Sequence, residues 1–233
     1  QNQIITELIQ QEYEVYIAKD HTRLGHSLKK YPDSILFINI DEAVPKEEWE
    51  RWVRAVHSSM PEVKVGVFSA NNDEKLQEKY LKNLRIKCGF MILKLDMSRI
   101  LDKLLELLNA LNVKGRRKYL RASTERESKA TMNMPLHGEF VNASIRDISV
   151  VGFSCSFESD PGLVKNEILK DIQIRLQSML IKVEAVVFGS RTSVSQEKTY
   201  VFIFTQRIDP DVRVKIRKYI QQNLQSKMDI EIN

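Results

Sequence analysis

The sequence predicts an α/β unit built on a doubly wound parallel sheet, followed by a small antiparallel β-barrel with a C-terminal helix. Three observations predict it. Over residues 1–113, apolar strand-like runs alternate with helical spacings. After that point, short alternating strands separated by turn residues take over. The charge changes at the same place: residues 1–113 hold 16 Lys and Arg against 17 Asp and Glu, and 114–233 hold 20 against 14, so the net moves from −1 to +6. Such a step marks a domain boundary. The 233 residues, 42% hydrophobic and 29% charged, suffice for one large or two small cores. The expected divisions are an α/β domain at 1–113, a basic linker at 114–126, and a barrel with its closing helix at 127–233.

Taken in order, Ile4, Ile5, Leu8 and Ile9 share a helical face, so the chain opens in a helix. Tyr13–Ala18 reads as a strand. Ser34–Ile40 is an almost unbroken apolar run, as in a strand covered on both faces. Lys64–Ser69 and Phe90–Leu95 are two more. Helical stretches lie near 20–30, 46–57, 73–84 and 97–112. The last carries a broad stripe of Ile100, Leu101, Leu104, Leu105, Leu107, Leu108 and Leu111. That stripe either packs as one wide face on the sheet or turns its excess toward the next domain or a second subunit, so a homodimer is among the expectations. Gly115 suits the end of this helix.

In the second half, strands are expected near 127–134, 137–148, 151–158, 170–177, 179–190 and 197–207. Breaks fall at Pro135, His137-Gly138, Asp160-Pro161-Gly162 and Gly189-Ser190. A closing helix follows Asp209, with Pro210 in its first turn and Arg213, Lys215, Arg217 and Lys218 on a solvated face.

Composition excludes several function classes. No apolar run approaches the roughly 18–20 residues a membrane helix needs, and the opening residues carry no signal-peptide pattern. Cys88 and Cys155 lie far apart, without a CxxC partner, and fit a reducing compartment, hence the cytoplasm. His21, His26, His57 and His137 form no metal spacing, so neither metal nor cofactor is expected. No nucleophile–base set and no P-loop is present, which argues against an enzyme. The sequence pI near 9.1 permits nucleic-acid binding. Aromatic residues do not interleave with the basic ones as a stacking surface requires, so that reading, like a purely protein-binding adaptor, stays an alternative.

Two motifs carry chemistry. Arg116-Arg117-Lys118-Tyr119-Leu120-Arg121 places three guanidinium groups in six residues. Asp147, Ser149 and Gly152 follow in the pattern D-x-S-x-x-G. Arginine forks bond phosphate oxygens in pairs and stack on flat rings. A carboxylate accepts from purine N–H groups, a hydroxyl can assist it, and glycine admits close backbone approach. A ligand with phosphates and purine edges needs both kinds of group.

In this order, ahead of a barrel-like set of strands, the motifs resemble those of the PilZ domain, the bacterial receptor module for cyclic di-GMP. Arg117 and Arg121 match its R-x-x-x-R segment, with Arg116 as an extra arginine upstream, and Asp147, Ser149 and Gly152 match its second motif. The resemblance covers residues 114–220. It implies a non-enzymatic receptor whose ligand is cyclic di-GMP. Arg117 and Arg121 would bond phosphate oxygens and a guanine Hoogsteen edge, and Arg116 would stack on or contact a second ligand copy. Asp147 would accept from guanine N1–H and N2–H, Ser149 would bond the phosphate or the base amine, and Gly152 would keep the pocket wall clear. The arginine segment, with clustered cations that bury nothing, is expected to be flexible until the ligand orders it. Its ordering would reset the first domain and pass a signal to an unidentified protein partner. Motility or surface behaviour is the output the family implies.

The first domain resembles a receiver of two-component signalling. Asn39 falls where the phosphorylated Asp would stand, with Asp41 two residues on; Ser69 matches the switch hydroxyl and Lys94 the family lysine. An amide is a poor phosphoryl acceptor and metal ligand, so the expectation is a receiver-like domain without phosphotransfer.

Overall fold

A computed structural model describes residues 2–94, 96–113, 117–124, 130–193, 197–206 and 208–232, apart from the side chains of 2 and 232. The chain divides into two compact units, one formed by Gln1–Glu7, Ile17–Val113 and Asp229–Asn233, the other by Leu8–Tyr16 and Lys114–Met228. The cut between Val113 and Lys114 coincides with the charge step. The short segment Leu8–Tyr16, which the sequence reading placed in the first domain, packs with the barrel instead.

The first unit holds a parallel sheet of β1 (Ile35–Asn39), β2 (Lys64–Ser69) and β3 (Phe90–Ile92), in the order β1-β2-β3. Ile38 pairs with Val67, and Val67 with Phe90. Val65 and Val67 are wholly buried, as a strand covered on both faces requires. The first helix, α1, spans Asn2–Gln10. Around the sheet come α2 (Leu24–Lys30), α3 (Lys46–Ser59), α4 (Glu74–Glu78), which runs on into a π-helical turn at Lys79–Asn83, and α5 (Met97–Ala110). Asp73 and Asp96 cap α4 and α5 by accepting from backbone N–H groups of their first turns. Trp49, Val53 and Val56 form the buried face of α3.

The leucine stripe packs as one broad face: Ile100, Leu104 and Leu108 are buried, and Leu101, Leu105, Leu107 and Leu111 flank them half-buried. Helix α5 gives way to a left-handed turn at Asn112; Gly115, expected to end it, lies outside the described residues. The φ of 49° at Asn112 turns the chain while its N–H donates to the Asn109 carbonyl. The expected strand Tyr13–Ala18 is also absent. Its alternation suits a strand, but no sheet edge pairs with it; the Val15 carbonyl accepts instead from Gln221 Nε2 at 2.8 Å. Of Phe90–Leu95, only Phe90–Ile92 forms strand, and Leu95 lies outside the described residues.

The second unit is a closed antiparallel barrel. Its strands are β5 (Ala130–Leu136), β6 (Glu139–Ser149), β7 (Gly152–Phe157), β8 (Ile168–Leu176), β9 (Met179–Thr192) and β10 (Lys198–Phe204), joined in the order β6-β5-β8-β9-β10-β7 and shut by β7 on β6. A two-residue strand β4 (Ala122–Ser123) lies beside β6. Inward residues alternate along each strand. They give a core that includes Met132, Met134, Ile172, Ile174 and the stacked rings of Phe153 and Phe202, whose centroids are 4.7 Å apart. His137 and Gly138, at φ 52° and 88°, make the tight β5–β6 turn. Gly189-Ser190 is not a break: β9 runs on to Thr192, and the pairing with β10 slips between Val201 and Phe202 to absorb the irregularity.

Helix α6 (Pro210–Ile232) packs Ile216, Tyr219 and Ile220 into the core. Arg213, Lys215 and Lys218 are exposed as expected, whereas Arg217 is half-buried against Glu12.

The Asp160-Pro161-Gly162 turn is pinned by its carboxylate. Asp160 accepts from Lys198 Nζ at 2.8 Å, from the Tyr200 hydroxyl and from the Gly162 N–H at 3.1 Å. These donors, the Lys198 ammonium foremost, lower its pKa from 3.8 to about 2. A carboxyl with a depressed folded pKa stabilises the fold above its unfolded value and loses that contribution as pH falls toward the folded one. Stability is therefore expected to fall between pH 4 and pH 2, and the Asp160→Asn variant to show a flatter profile in that window. Melting curves across the range check this; identical pH slopes for the two proteins would refute it.

Candidate ligand-binding site

The site centres on β6, which changes partners along its length. Residues 139–144 pair with β5; beyond Ser144 the same edge is taken by β4, with Ala122 opposite Ile148 and Ser123 opposite Asp147. On its other edge β6 pairs with β7, and the register shifts between Ile145 and Asp147, leaving Arg146 as an extra residue. Ile145 and Ile148 both point into the core although they are three apart. The bulge therefore leaves Arg146 and Asp147 both only half-buried, outside that core.

Asp147 then meets two donors. Its Oδ1 accepts from Arg121 Nη1 at 3.3 Å, and its Oδ2 accepts from the hydroxyl of Ser154, which stands directly across on β7. The Asp147 side chain is 22% exposed and that of Arg121 46%, so a ligand in solution can reach both. Arg146 donates from Nε to Ser156 Oγ at 2.9 Å and pairs with Glu197.

The arginine segment is anchored, contrary to the expectation that it buries nothing. Tyr119 and Leu120 pack against the barrel core, and Ala122 and Thr124 are buried. The Thr124 N–H donates to the Arg146 carbonyl at 2.9 Å. Lys227 Nζ reaches the Ser123 carbonyl at 2.7 Å. The apolar residues between the cations supply the burial that a reading of charge alone overlooks. Arg117 is exposed at the near end of this segment; Arg116 lies outside the described residues.

Ser149 and Gly152 serve the β6–β7 hairpin. Ser149 is buried; its hydroxyl donates to the Gly152 carbonyl at 3.1 Å and accepts from the Val151 N–H at 3.4 Å. A Cβ on Gly152 would drive into the Phe202 carbonyl oxygen and lie 3.1 Å from Ile203 Cα. The missing side chain thus lets β7 close on β10. Arg121 and Asp147 are brought together, Arg117 stands four residues upstream of Arg121 on the same segment, and Ser149 and Gly152 sit at the turn beyond Asp147.

Ser154, Arg146 and Thr124 were not singled out from the sequence. Signals for the first two are present in the sequence. Ser154 and Ser156 alternate with Phe153, Cys155 and Phe157, which gives β7 a hydroxyl face. The spacing of three between Ile145 and Ile148 announces the bulge. Among the described residues, no group of three or more His, Cys, Asp or Glu could hold a metal ion, and no helix is long and apolar enough to cross a membrane.

In the first unit, Asn39 and Ser69 end the adjacent strands β1 and β2, and Lys94 is exposed just past β3. Ser69 is fully buried and donates from Oγ to Asp41, 2.9 Å from Oδ1 and 3.1 Å from Oδ2; the Ala70 N–H donates to the same carboxylate. Asn39 Oδ1 accepts from the Asp41 N–H at 3.2 Å. Asp41, itself exposed, is thereby held by the serine hydroxyl and the Ala70 N–H.

No family model and no curated protein matches the sequence. Solved structures do match over about half of the chain. The PilZ domain of YcgR from Escherichia coli, solved with c-di-GMP, is 16% identical with a TM-score of 0.41, covering 50% of this chain and 97% of that one. The inhibitor of motility MotI/DgrA from Bacillus subtilis is 18% identical with a TM-score of 0.42, covering 49% and 54%. The MrkH–c-di-GMP complex from K. pneumonia is 21% identical with a TM-score of 0.43, covering 50% and 57%. This chain therefore spans nearly all of the isolated YcgR domain and about half the length of the MotI and MrkH chains.

Proposed function

We propose that the protein is a receptor for cyclic di-GMP, and that Arg117, Arg121, Asp147, Ser149 and Gly152, with Arg116, form its site. The observation that carries this reading is the Arg121–Asp147 pair: a guanidinium and a carboxylate 3.3 Å apart and half open, on a strand edge that a bulge has turned outward. A guanine presents N1–H and N2–H side by side, which a carboxylate accepts together, and its Hoogsteen edge and the neighbouring phosphate suit an arginine fork. Arg117 and Arg116 supply further cations for the phosphates and for stacking. Ser149 contributes only by turning its hydroxyl away from the Gly152 carbonyl.

The same proposal takes the protein as non-catalytic. Ligand capture would order the arginines upstream of Tyr119 and reset the orientation of the first unit for a protein partner. That first unit is read as receiver-like and without phosphotransfer, since Asn39 replaces a carboxylate and Asp41 is held by Ser69.

Isothermal titration tests the central step. Cyclic di-GMP is expected to bind saturably, and its preference over GTP to persist at high salt. Non-specific DNA binding, in contrast, collapses as salt rises. Absence of binding to cyclic di-GMP, or equal binding of GTP, would overturn the reading.

A further inference from the structure

Glu12 occupies a backbone conformation that its residue type disfavours. Helix α1 ends in a Schellman turn: the Tyr13 N–H donates to the Leu8 carbonyl at 2.9 Å and the Glu12 N–H to the Ile9 carbonyl at 3.0 Å. The residue at this corner must be left-handed, and Glu12 has φ 62° where glycine is usual. A non-glycine residue held there points to a side chain with a task. The carboxylate is only 11% exposed. Its Oε2 accepts from the backbone N–H of Leu120 at 3.0 Å, and its Oε1 accepts from Arg217 Nε and Nη2 at 3.2 and 3.1 Å.

We infer that Glu12 is a positioning residue for the ligand site, an inference that rests on the receptor reading above. Leu120 lies between Arg117 and Arg121 in the R-x-x-x-R segment. The carboxylate fixes the segment at that point, and Arg217 on α6 holds the carboxylate in place through Nε and Nη2. The pairing of Ala122 and Ser123 with β6 fixes the segment again two residues later. Between these two anchors Arg121 reaches Asp147 at 3.3 Å. On the other side of the pin, Arg117 is exposed and free to swing toward a phosphate. Glu12 thus divides the segment into a preset half, which reads the base together with Asp147, and an adaptable half. Presetting reduces the ordering cost that binding would otherwise carry.

The test uses the full chain and three variants. Glu12→Gly removes the carboxylate while suiting φ 62°, and Glu12→Gln keeps the shape and an acceptor without the charge. The third, Arg121→Ala, completes a double-mutant cycle with Glu12→Gly. In titrations with cyclic di-GMP, Glu12→Gly is expected to weaken binding about tenfold, with a less favourable entropy, and Glu12→Gln to weaken it less. Exchange of the Leu120 amide is expected to quicken in Glu12→Gly. In the Arg121→Ala background, Glu12→Gly should cost little more, because it acts through Arg121. Binding by the wild type with unchanged affinity in Glu12→Gly, or full additivity with Arg121→Ala, would overturn this inference alone. A wild type that does not bind cyclic di-GMP would overturn the receptor reading and this inference with it.

Discussion

Alanine at Arg121 or at Asp147 is expected to weaken cyclic di-GMP binding by about 2 kcal/mol, roughly thirtyfold in Kd. The two residues face each other at 3.3 Å and are half open, so as a pair they add only about 0–1 kcal/mol to folding. On the proposed reading, bound ligand would change that balance: it would exclude water from the carboxylate and the guanidinium, and removing either would leave a charged or polar partner without its complement. The expected signature is a large loss of affinity with little change in melting temperature for Arg121→Ala. Asp147→Ala also strands the Ser154 hydroxyl, which is 2% exposed, and is expected to cost about a further 1 kcal/mol of stability. Asp147→Asn, which keeps an acceptor for Ser154, should separate the two effects. Isothermal titration beside thermal melts decides the matter. Undiminished affinity in both alanine variants would remove these residues from the site.

Gly152→Ala is expected to destabilise the barrel by about 3 kcal/mol or more and to lower its melting temperature by about 10 °C. The new methyl group would meet the Phe202 carbonyl oxygen and the Ile203 Cα, both main-chain atoms of β10. A flexible side chain could swing aside, but a paired strand cannot, because Gly152 and Ile203 are opposite one another in the ladder. Relief requires β7 to part from β10, and the stacked Phe153 and Phe202 rings part with it. Gly25→Ala is the natural control: its methyl would meet nothing within 4 Å, and it sits inside α2, where alanine is the better helix former. Equal melting temperatures for Gly152→Ala and the wild type, followed by circular dichroism, would show that the strands are not in contact there.

How far the sequence carried the reading depends on where each signal is stored. Residue alternation located all six barrel strands to within a few residues, since an inward-facing strand declares its own face in steps of two. Ser34–Ile40 was legible instead as an almost unbroken apolar run, and the leucine stripe of α5 by its helical spacing. Tyr13–Ala18 failed because alternation states what a strand would bury and not whether an edge is available to pair with it. Asn112 escaped notice at the end of α5 because asparagine as well as glycine can adopt the left-handed turn.

Residue type and order singled out Arg121 and Asp147, which meet at 3.3 Å, but not Ser154, the bulge at Arg146 or the contact of Glu12 with Leu120. Glu12 is 108 positions from Leu120 and 205 from Arg217.

By itself the chain determined its period, its charge step and the chemical kinds of group that could meet an anionic purine ligand. These properties belong to single elements, and local spacing records them. Only the tertiary structure decided that β4 follows β5 along one edge of β6, that a one-residue slip turns Asp147 outward, and that a carboxylate from the first helix turn holds the arginine segment. Those outcomes depend on which distant surfaces bury each other. Long-range packing settles that, and no local pattern encodes it.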